Sequence, residues 1–223
     1  MVKKLRGVTQ MTNWKATIEN KLAERLIDLG LTEKSDGYFL KSNDNELWAG
    51  VLLSTSKSKR HLNYDLSACF QYPSAWRLAK KFEPYLKGKI SDWQWIYRKD
   101  VSIFDLPTHV KVDTQNFTFI VDTSDEVVEE LLDAVAAQCE NAILPFVEKY
   151  MSLCAVLELI PQAETRNTPL LTKHVFPILF MEVGKDMLAR ESLEALERKG
   201  ALSSEYVSNF RNHYKDRAVP LTS

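Results

Sequence analysis

Residues 123–160, TSDEVVEELLDAVAAQCENAILPFVEKYMSLCAVLELI, carry the longest helical pattern in the chain. One face of this stretch is apolar at helical spacing, and the other is rich in carboxylates. Thr123 and Glu126 have the spacing of a capping box, which predicts the start of a helix. Pro145 has no backbone amide to donate, so the pattern predicts a stop or kink near Ile143. We interpret the acidic face as a solvated surface rather than a metal or acid–base site.

The composition is typical of a globular protein. The chain has 223 residues, of which 45% are hydrophobic and 26% charged, enough for one large domain or one domain with an appendage. The formal net charge of −1 predicts no non-specific attraction to nucleic acid or to an anionic membrane. No apolar stretch approaches the ~18 residues that span a bilayer. The basic N-terminus is not followed by the apolar run of a secretory signal, so we expect a soluble, cytoplasmic protein.

The residues that most often bind metals or phosphates form no recognisable motif. The cysteines are Cys69, Cys139 and Cys154, and the histidines are His61, His109, His174 and His213. The cysteines lie in apolar surroundings, which predicts small core residues in a reducing compartment. No histidine pair or cysteine–histidine pair has zinc-ligand spacing. Because the glycines are scattered, a phosphate-binding loop is excluded as well, and we expect no cofactor and no metal.

The first 160 residues alternate between helical and strand patterns. A helix over Asn13–Leu29 ends before Gly30, and a second helix opens at Pro73. Strands are predicted at Gly37–Lys41, Glu46–Ser54, His61–Phe70 and Asp92–Arg98, and a hairpin at His109–Asp113 and Phe117–Val121 around Thr114–Asn116. Because neighbouring strands are joined by short connections, the order predicts an α+β fold with a mainly antiparallel sheet and flanking helices.

The composition changes after Pro161. Gln162–Pro169 is polar and is typical of a linker. Three helical segments follow, at Leu170–Val183, Lys185–Arg198 and Ser203–Asp216, with Gly184 and Gly200 at the turns between them. The sequence therefore predicts an α+β sheet domain over residues 1–161 and a C-terminal helical appendage over residues 162–223. It leaves open whether the appendage packs on the sheet domain.

The clearest strand alternation places four polar side chains on one face of a predicted strand. They are His61, Asn63, Asp65 and Ser67, about 7 Å apart from one to the next. An imidazole, a carboxylate and a hydroxyl can together perform acid–base or nucleophilic chemistry. Catalysis requires contacts near ~3 Å, so a neighbouring strand would have to supply a further group. The alternatives are a surface that binds a ligand or partner and a plain solvated face.

A second candidate surface is aromatic. Trp93, Trp95 and Tyr97 share one face of the predicted strand, with Ile96 and Arg98 opposite. Aromatic rows of this kind stack bases or sugars, or anchor a protein interface. They also form the core beneath a helix. We list Arg98 with the aromatic residues as a candidate binding residue.

Three short motifs resemble a family of bacterial α+β domains of unknown function. They are Leu29-Gly30-Leu31 at the end of the first helix, the aromatic alternation of Leu62–Phe70, and Leu144-Pro145-Phe146 followed by Glu148-Lys149-Tyr150. The resemblance covers about residues 13–160. It implies an α+β core and no assigned catalytic residues. Some bacterial proteins of this general build are immunity or partner-binding modules.

We therefore predict a bacterial, cytoplasmic module that binds a protein partner and has no catalytic activity. An immunity-type function is one form of this prediction. The binding residues are sought among the polar row and the aromatic row. The alternative hypothesis is an enzyme of hydrolase type that uses the His61–Ser67 strand face. We expect no nucleic-acid or membrane partner, and the sequence leaves the oligomeric state open.

Overall fold

The computed structural model describes residues 3–34, 37–43, 46–57, 61–100, 117–120, 124–160 and 172–215. Helices accompany a mainly antiparallel sheet, which confirms the predicted α+β class. Within these ranges, no helix has the length and apolar character needed to cross a membrane. The predicted strand His109–Asp113, its loop Thr114–Asn116 and the predicted linker Gln162–Pro169 lie outside the described residues.

The sheet is built from strands that follow one another closely along the chain. They are β1 (Thr32–Lys34), β2 (Gly37–Lys41), β3 (Trp48–Lys57), β4 (His61–Gln71), β5 (Trp95–Asp100) and β6 (Phe117–Ile120). The spatial order is β1-β2-β3-β4-β5, and β6 pairs with the beginning of β4. Tyr38 lies opposite Glu33 on one side and Val51 on the other, and Leu62 lies opposite Phe119. These three pairings are antiparallel, as the short connections predict.

The helices begin before the sheet and dominate the second half of the chain. They are α1 (Lys3–Asp28), α2 (Pro73–Phe82), α3 (Asp125–Gln138), α4 (Leu144–Lys149), α5 (Leu153–Leu159), α6 (Phe176–Glu182), α7 (Asp186–Arg198) and α8 (Ser204–His213). Gly30 ends α1 with φ at 82°, a conformation that glycine adopts without steric cost. The amide of Leu31 then donates to the carbonyl of Leu26, which completes the helix cap. Gly184 and Gly200 follow α6 and α7, confirming the predicted turns.

The helix at the centre of the sequence differs from its prediction at both ends. Ser124, not Thr123, caps α3, and its hydroxyl accepts a hydrogen bond from the amide of Val127. At the other end, α3 continues through a π-helical turn, Cys139–Ile143, directly into α4. The amide of Leu144 donates to the carbonyl of Cys139, five residues back. The π-helical turn is wider than an α-helical turn and accommodates Pro145, which has no amide to donate. The helix therefore continues past the proline instead of ending before it.

The chain groups into two compact units, each assembled from separated segments. The first unit contains α1, β1, β2, β3, β6, α3, α4 and β4 as far as Phe70. The second contains α2, α5, α6, α7 and α8, together with Trp95–Tyr97 of β5. This grouping joins α2 to the C-terminal helices. The predicted division at residue 161 stays a prediction.

In the second unit, the core is an aromatic cluster around Phe82 at the end of α2. The Phe82 ring lies edge-on to Tyr206 and Phe210 of α8, with ring centroids 5.5 and 5.8 Å apart. The Tyr206 hydroxyl donates a hydrogen bond to the backbone carbonyl of His174. The Asn209 side-chain amide donates to the carbonyl of Phe82 at 3.1 Å. Helix α8 is therefore packed and hydrogen-bonded onto α2.

The acidic face of α3 is solvated, and two of its carboxylates also pair with α1. Glu129 accepts hydrogen bonds from Lys21 and Arg25 of α1, and Asp133 accepts one from Arg25 Nε at 2.9 Å. Glu130 is exposed, as predicted. Asp133 keeps 71% of its side chain exposed and Glu129 keeps 40%, so these carboxylates are solvated as predicted while they pair with the cations of α1.

None of the three cysteines forms a disulfide, and they differ in burial. Cys69 and Cys139 are buried, as predicted for core residues, and burial raises the pKa of the Cys139 thiol to about 12. Cys154 is exposed, so its core assignment is wrong. The buried stripe of α5 includes Leu153 and Val156, and Cys154 lies off that stripe.

Candidate functional site

The side chains of the polar row predicted on β4 become more buried from the beginning of the strand towards its end. His61 is exposed, Asn63 and Asp65 are half-buried, and Ser67 is 0% exposed. Six residues of extended strand place His61 and Ser67 about 20 Å apart. The row therefore does not bring its imidazole and its hydroxyl within hydrogen-bonding distance of each other.

Two of the predicted residues do meet. Arg98 Nε, on β5, donates a hydrogen bond to Ser67 Oγ at 3.0 Å. This contact joins a residue of the polar row to one that the sequence grouped with the aromatic row. A fully buried hydroxyl that accepts from a guanidinium is poorly suited to act as a nucleophile, because a substrate cannot reach it. The contact fits a structural role in joining β4 to β5.

The aromatic row is also divided. Trp93 lies in a turn before β5, where its backbone amide donates to Ser91 Oγ at 3.0 Å, so strand alternation does not govern its direction. Trp95 is half-buried at the start of β5. Tyr97 is 5% exposed and its neighbour Ile96 is 0% exposed, so both faces of the strand are covered at this point. Tyr97 is thus part of the core, and Trp93 and Trp95 keep some exposed surface.

A groove that the sequence did not reveal lies between α1 and the sheet. We call it the α1 groove, and its volume is about 510 Å³. Its lining residues come from α1 and from strands β1 to β4: Glu19, Asn20, Leu22, Ala23, Glu33, Gly37, Tyr38, Leu53, Thr55 and Tyr64. The groove is large enough for an amino-acid side chain and part of its backbone.

Packing of α1 sets which of its residues line the groove. Ile18, Leu22 and Leu26 form a buried stripe, each 1% exposed or less. Glu19 lies ~100° around the helix from Ile18, so it stands at the edge of this stripe.

The strands place the two tyrosines of the groove. A Cβ atom at Gly50 would lie 2.1 Å from the carbonyl oxygen of Tyr38, so only glycine allows β2 and β3 to pair at this separation. This close pairing fixes the position of Tyr38. Tyr64, on β4, packs edge-on against Phe119 with ring centroids 5.8 Å apart.

The Tyr64 hydroxyl is the unusual group of the α1 groove. Tyr64 is 2% exposed, and its hydroxyl has no hydrogen-bond partner among the residues that the structure describes. A buried hydroxyl without a partner costs stability, because it has lost its contacts with water and gained nothing. Burial raises the pKa of Tyr64 well above its ordinary value, and the nearby Glu19 carboxylate and Tyr38 raise it further.

Negative charge dominates the surroundings of these tyrosines. Burial raises the pKa of Tyr38, and the carboxylates of Glu33 and Glu19 raise it further because they oppose a second negative charge. None of the described lining residues carries a positive charge. On the same helix, Lys21 and Arg25 instead contact α3. The α1 groove therefore favours a cationic group.

The described residues hold no cluster of three or more His, Cys, Asp or Glu side chains suited to a metal ion. Comparison with known proteins finds no matching family model, no matching curated protein and no matching solved structure.

The sequence predicts only part of the α1 groove. The alternation of β4 predicts that Tyr64 faces the buried side of the sheet, and the structure confirms its burial. Glu19 stands next to the apolar stripe of α1 in the sequence, which would have placed it at a helix edge. Nothing in the sequence indicates that a strand residue 45 positions later would bring a hydroxyl beneath it.

Proposed function

We propose that this protein is a non-catalytic protein-binding module that holds a basic side chain of its partner in the α1 groove. The observation that carries the proposal is the buried Tyr64 hydroxyl, which lacks a hydrogen-bond partner in the described structure and lines a groove whose charged side chains are carboxylates. This oxygen is covered in the unbound protein, so the lining side chains would move aside for a bound ammonium or guanidinium to donate to it. Binding would then satisfy a group that the unbound protein leaves unpaired.

The chemistry of the α1 groove favours a lysine or arginine side chain over a neutral one. Glu19 and Glu33 supply negative charge, and charge-assisted hydrogen bonds contribute about 1.5–3 kcal/mol each. Tyr38, which is 8% exposed, adds a small aromatic surface, to which cations are attracted. The apolar stem of a long basic side chain also suits Leu22 and Leu53, which line the same groove.

The wider assignment is a bacterial, cytoplasmic module of the immunity type. It rests on the resemblance to bacterial α+β domains and on three cysteines that form no disulfide, which is typical of a reducing compartment. The near-zero net charge of −1 favours a protein partner over nucleic acid or an anionic membrane. The hydrolase-type alternative gains no comparable support, because Ser67 is buried against Arg98 and far along the strand from His61.

Matched variants of two acidic residues test this function. The partner is captured from the native cell, and its affinity for the purified full chain is measured by isothermal titration calorimetry. Glu33→Gln should weaken binding ~10-fold, which corresponds to about 1.4 kcal/mol. Glu130→Gln removes an exposed carboxylate of α3 outside the α1 groove and should leave the affinity unchanged. Equal affinities of both variants would exclude the α1 groove as the binding site.

A further inference from the structure

A second cavity, of about 290 Å³, lies within the helical unit and has a different chemistry. Its floor is apolar and consists of Met181 from α6, Leu193 from α7, Phe210 from α8 and Tyr214 directly after α8, each at most 8% exposed. Its rim carries Arg190, Glu194, Arg211 and Lys215. We call it the helical-unit cavity. A buried apolar floor beneath a charged rim is the usual arrangement of a site for a small amphipathic molecule.

The charges on the rim determine which polar group a bound molecule should carry. Arg211 Nη2 bonds Glu197 Oε2 at 2.9 Å, so this cation is already paired. Arg190 and Lys215 form no ion pair with any residue whose position is described. Glu194 is the acidic member of the rim. Glu197 neutralises Arg211, and Glu194 offsets one of the two remaining cations, Arg190 and Lys215. The rim therefore keeps a small excess of positive charge, which suits a single negative charge rather than a polyanion.

The size of the cavity selects the rest of the molecule. Its volume of about 290 Å³ equals that of roughly ten water molecules at ~30 Å³ each. The cavity is therefore large enough for a small molecule such as a phenyl ring with a short chain. Its apolar body would contact Leu193 and Phe210, while a carboxylate at its end would reach the guanidinium of Arg190. Arginine suits this role, because its planar donors match the two oxygens of a carboxylate.

We propose that the helical-unit cavity binds a small monocarboxylate with an aromatic or aliphatic body, through Arg190 on the rim and Leu193 and Phe210 on the floor. The site lies wholly within the helical unit, so it does not depend on the function proposed for the α1 groove. It assigns the C-terminal helices a ligand-binding role of their own.

Three small probes test the proposal on the full chain by protein NMR titration. They are 4-phenylbutyrate, its neutral amide 4-phenylbutanamide, and acetate. Phenylbutyrate should bind with a Kd of about 1 mM, as expected for a ligand of this size, and shift the amide signals of α7 and α8. The neutral amide should bind ~10-fold more weakly because it lacks the charge that Arg190 recognises. Acetate, which lacks the apolar body, should produce no saturable shift.

Matched variants then locate the charge contact. Arg190→Gln should weaken phenylbutyrate binding ~5-fold or more, whereas Lys199→Gln, at an exposed position beyond the end of α7, should leave it unchanged. The amide signals of each variant report whether it keeps its fold. The proposal is overturned if phenylbutyrate gives no saturable shift, if the neutral amide binds equally well, or if the two variants bind alike.

Discussion

Replacing Tyr64 with phenylalanine should stabilise the unbound protein. The substitution keeps the aromatic ring against Phe119 and removes a hydroxyl that has no described partner. An unsatisfied buried polar group costs about 1–3 kcal/mol, and 2% exposure leaves this hydroxyl little access to water. Tyr64→Phe should therefore raise the free energy of unfolding by about 1 kcal/mol. For a chain of this length the melting temperature should rise by about 2–4 °C.

Urea unfolding, followed by tryptophan fluorescence and circular dichroism, measures this change. Tyr206→Phe is the matched control, because the Tyr206 hydroxyl is equally buried but donates to the carbonyl of His174. Its removal should lower the free energy of unfolding by about 0.5–1.5 kcal/mol. The two tyrosine-to-phenylalanine changes should therefore have opposite signs. If Tyr64→Phe destabilises the protein as much as Tyr206→Phe does, its hydroxyl is satisfied in the native state and the argument from the α1 groove fails.

Three further predictions concern the core and the thiols. Phe82→Ala should lower the free energy of unfolding by about 3–5 kcal/mol, because it removes the ring at the centre of the aromatic cluster. A decrease below ~1 kcal/mol in a urea titration would contradict this packing. A thiol-specific dye at about pH 8 should label Cys154 in the native protein and reach Cys139 only after unfolding, so native labelling of Cys139 would refute its burial. Stability should fall as pH rises. Burial raises the folded-state pKa of Cys139 and Tyr72 to about 12, so the unfolded chain loses these protons first. Cys139 alone should lower the free energy of unfolding by about 1.4 kcal/mol per pH unit between about pH 8.5 and 12, and Tyr72 should lower it further above about pH 10. A free energy of unfolding that stays level over that range would contradict the burial of these groups.

The sequence predicts the features that depend on local backbone chemistry. The end of α1 at Gly30 and the turns at Gly184 and Gly200 were predicted because glycine tolerates positive φ there. The α+β class followed from short connections between strands. Pro145 was recognised as an obstacle to the helix, but the π-turn that accommodates it depends on how the neighbouring residues pack, which the local sequence does not reveal.

The candidate site could not be predicted in the same way. The α1 groove combines residues from α1 with residues from four strands, and neighbours in space are distant in sequence. A sequence shows that Tyr64 is buried, but whether its hydroxyl has a partner depends on every residue that packs around it. Similarly, Ser67 was predicted to lie on an open face, and its contact with Arg98 exists only because β5 lies beside β4.

Site-specific photocrosslinking in the native cell tests the proposed binding surface most directly. A photoreactive amino acid replaces Asn20, an exposed residue that lines the α1 groove, or His61, an exposed residue at the start of β4, and mass spectrometry identifies the adducts. Position 20 should crosslink to a segment of a protein partner that contains lysine or arginine, and adding Glu33→Lys should abolish this adduct. The proposed binding surface would be contradicted if position 61 crosslinked to the partner while position 20 did not, or if the adduct at position 20 survived the charge reversal.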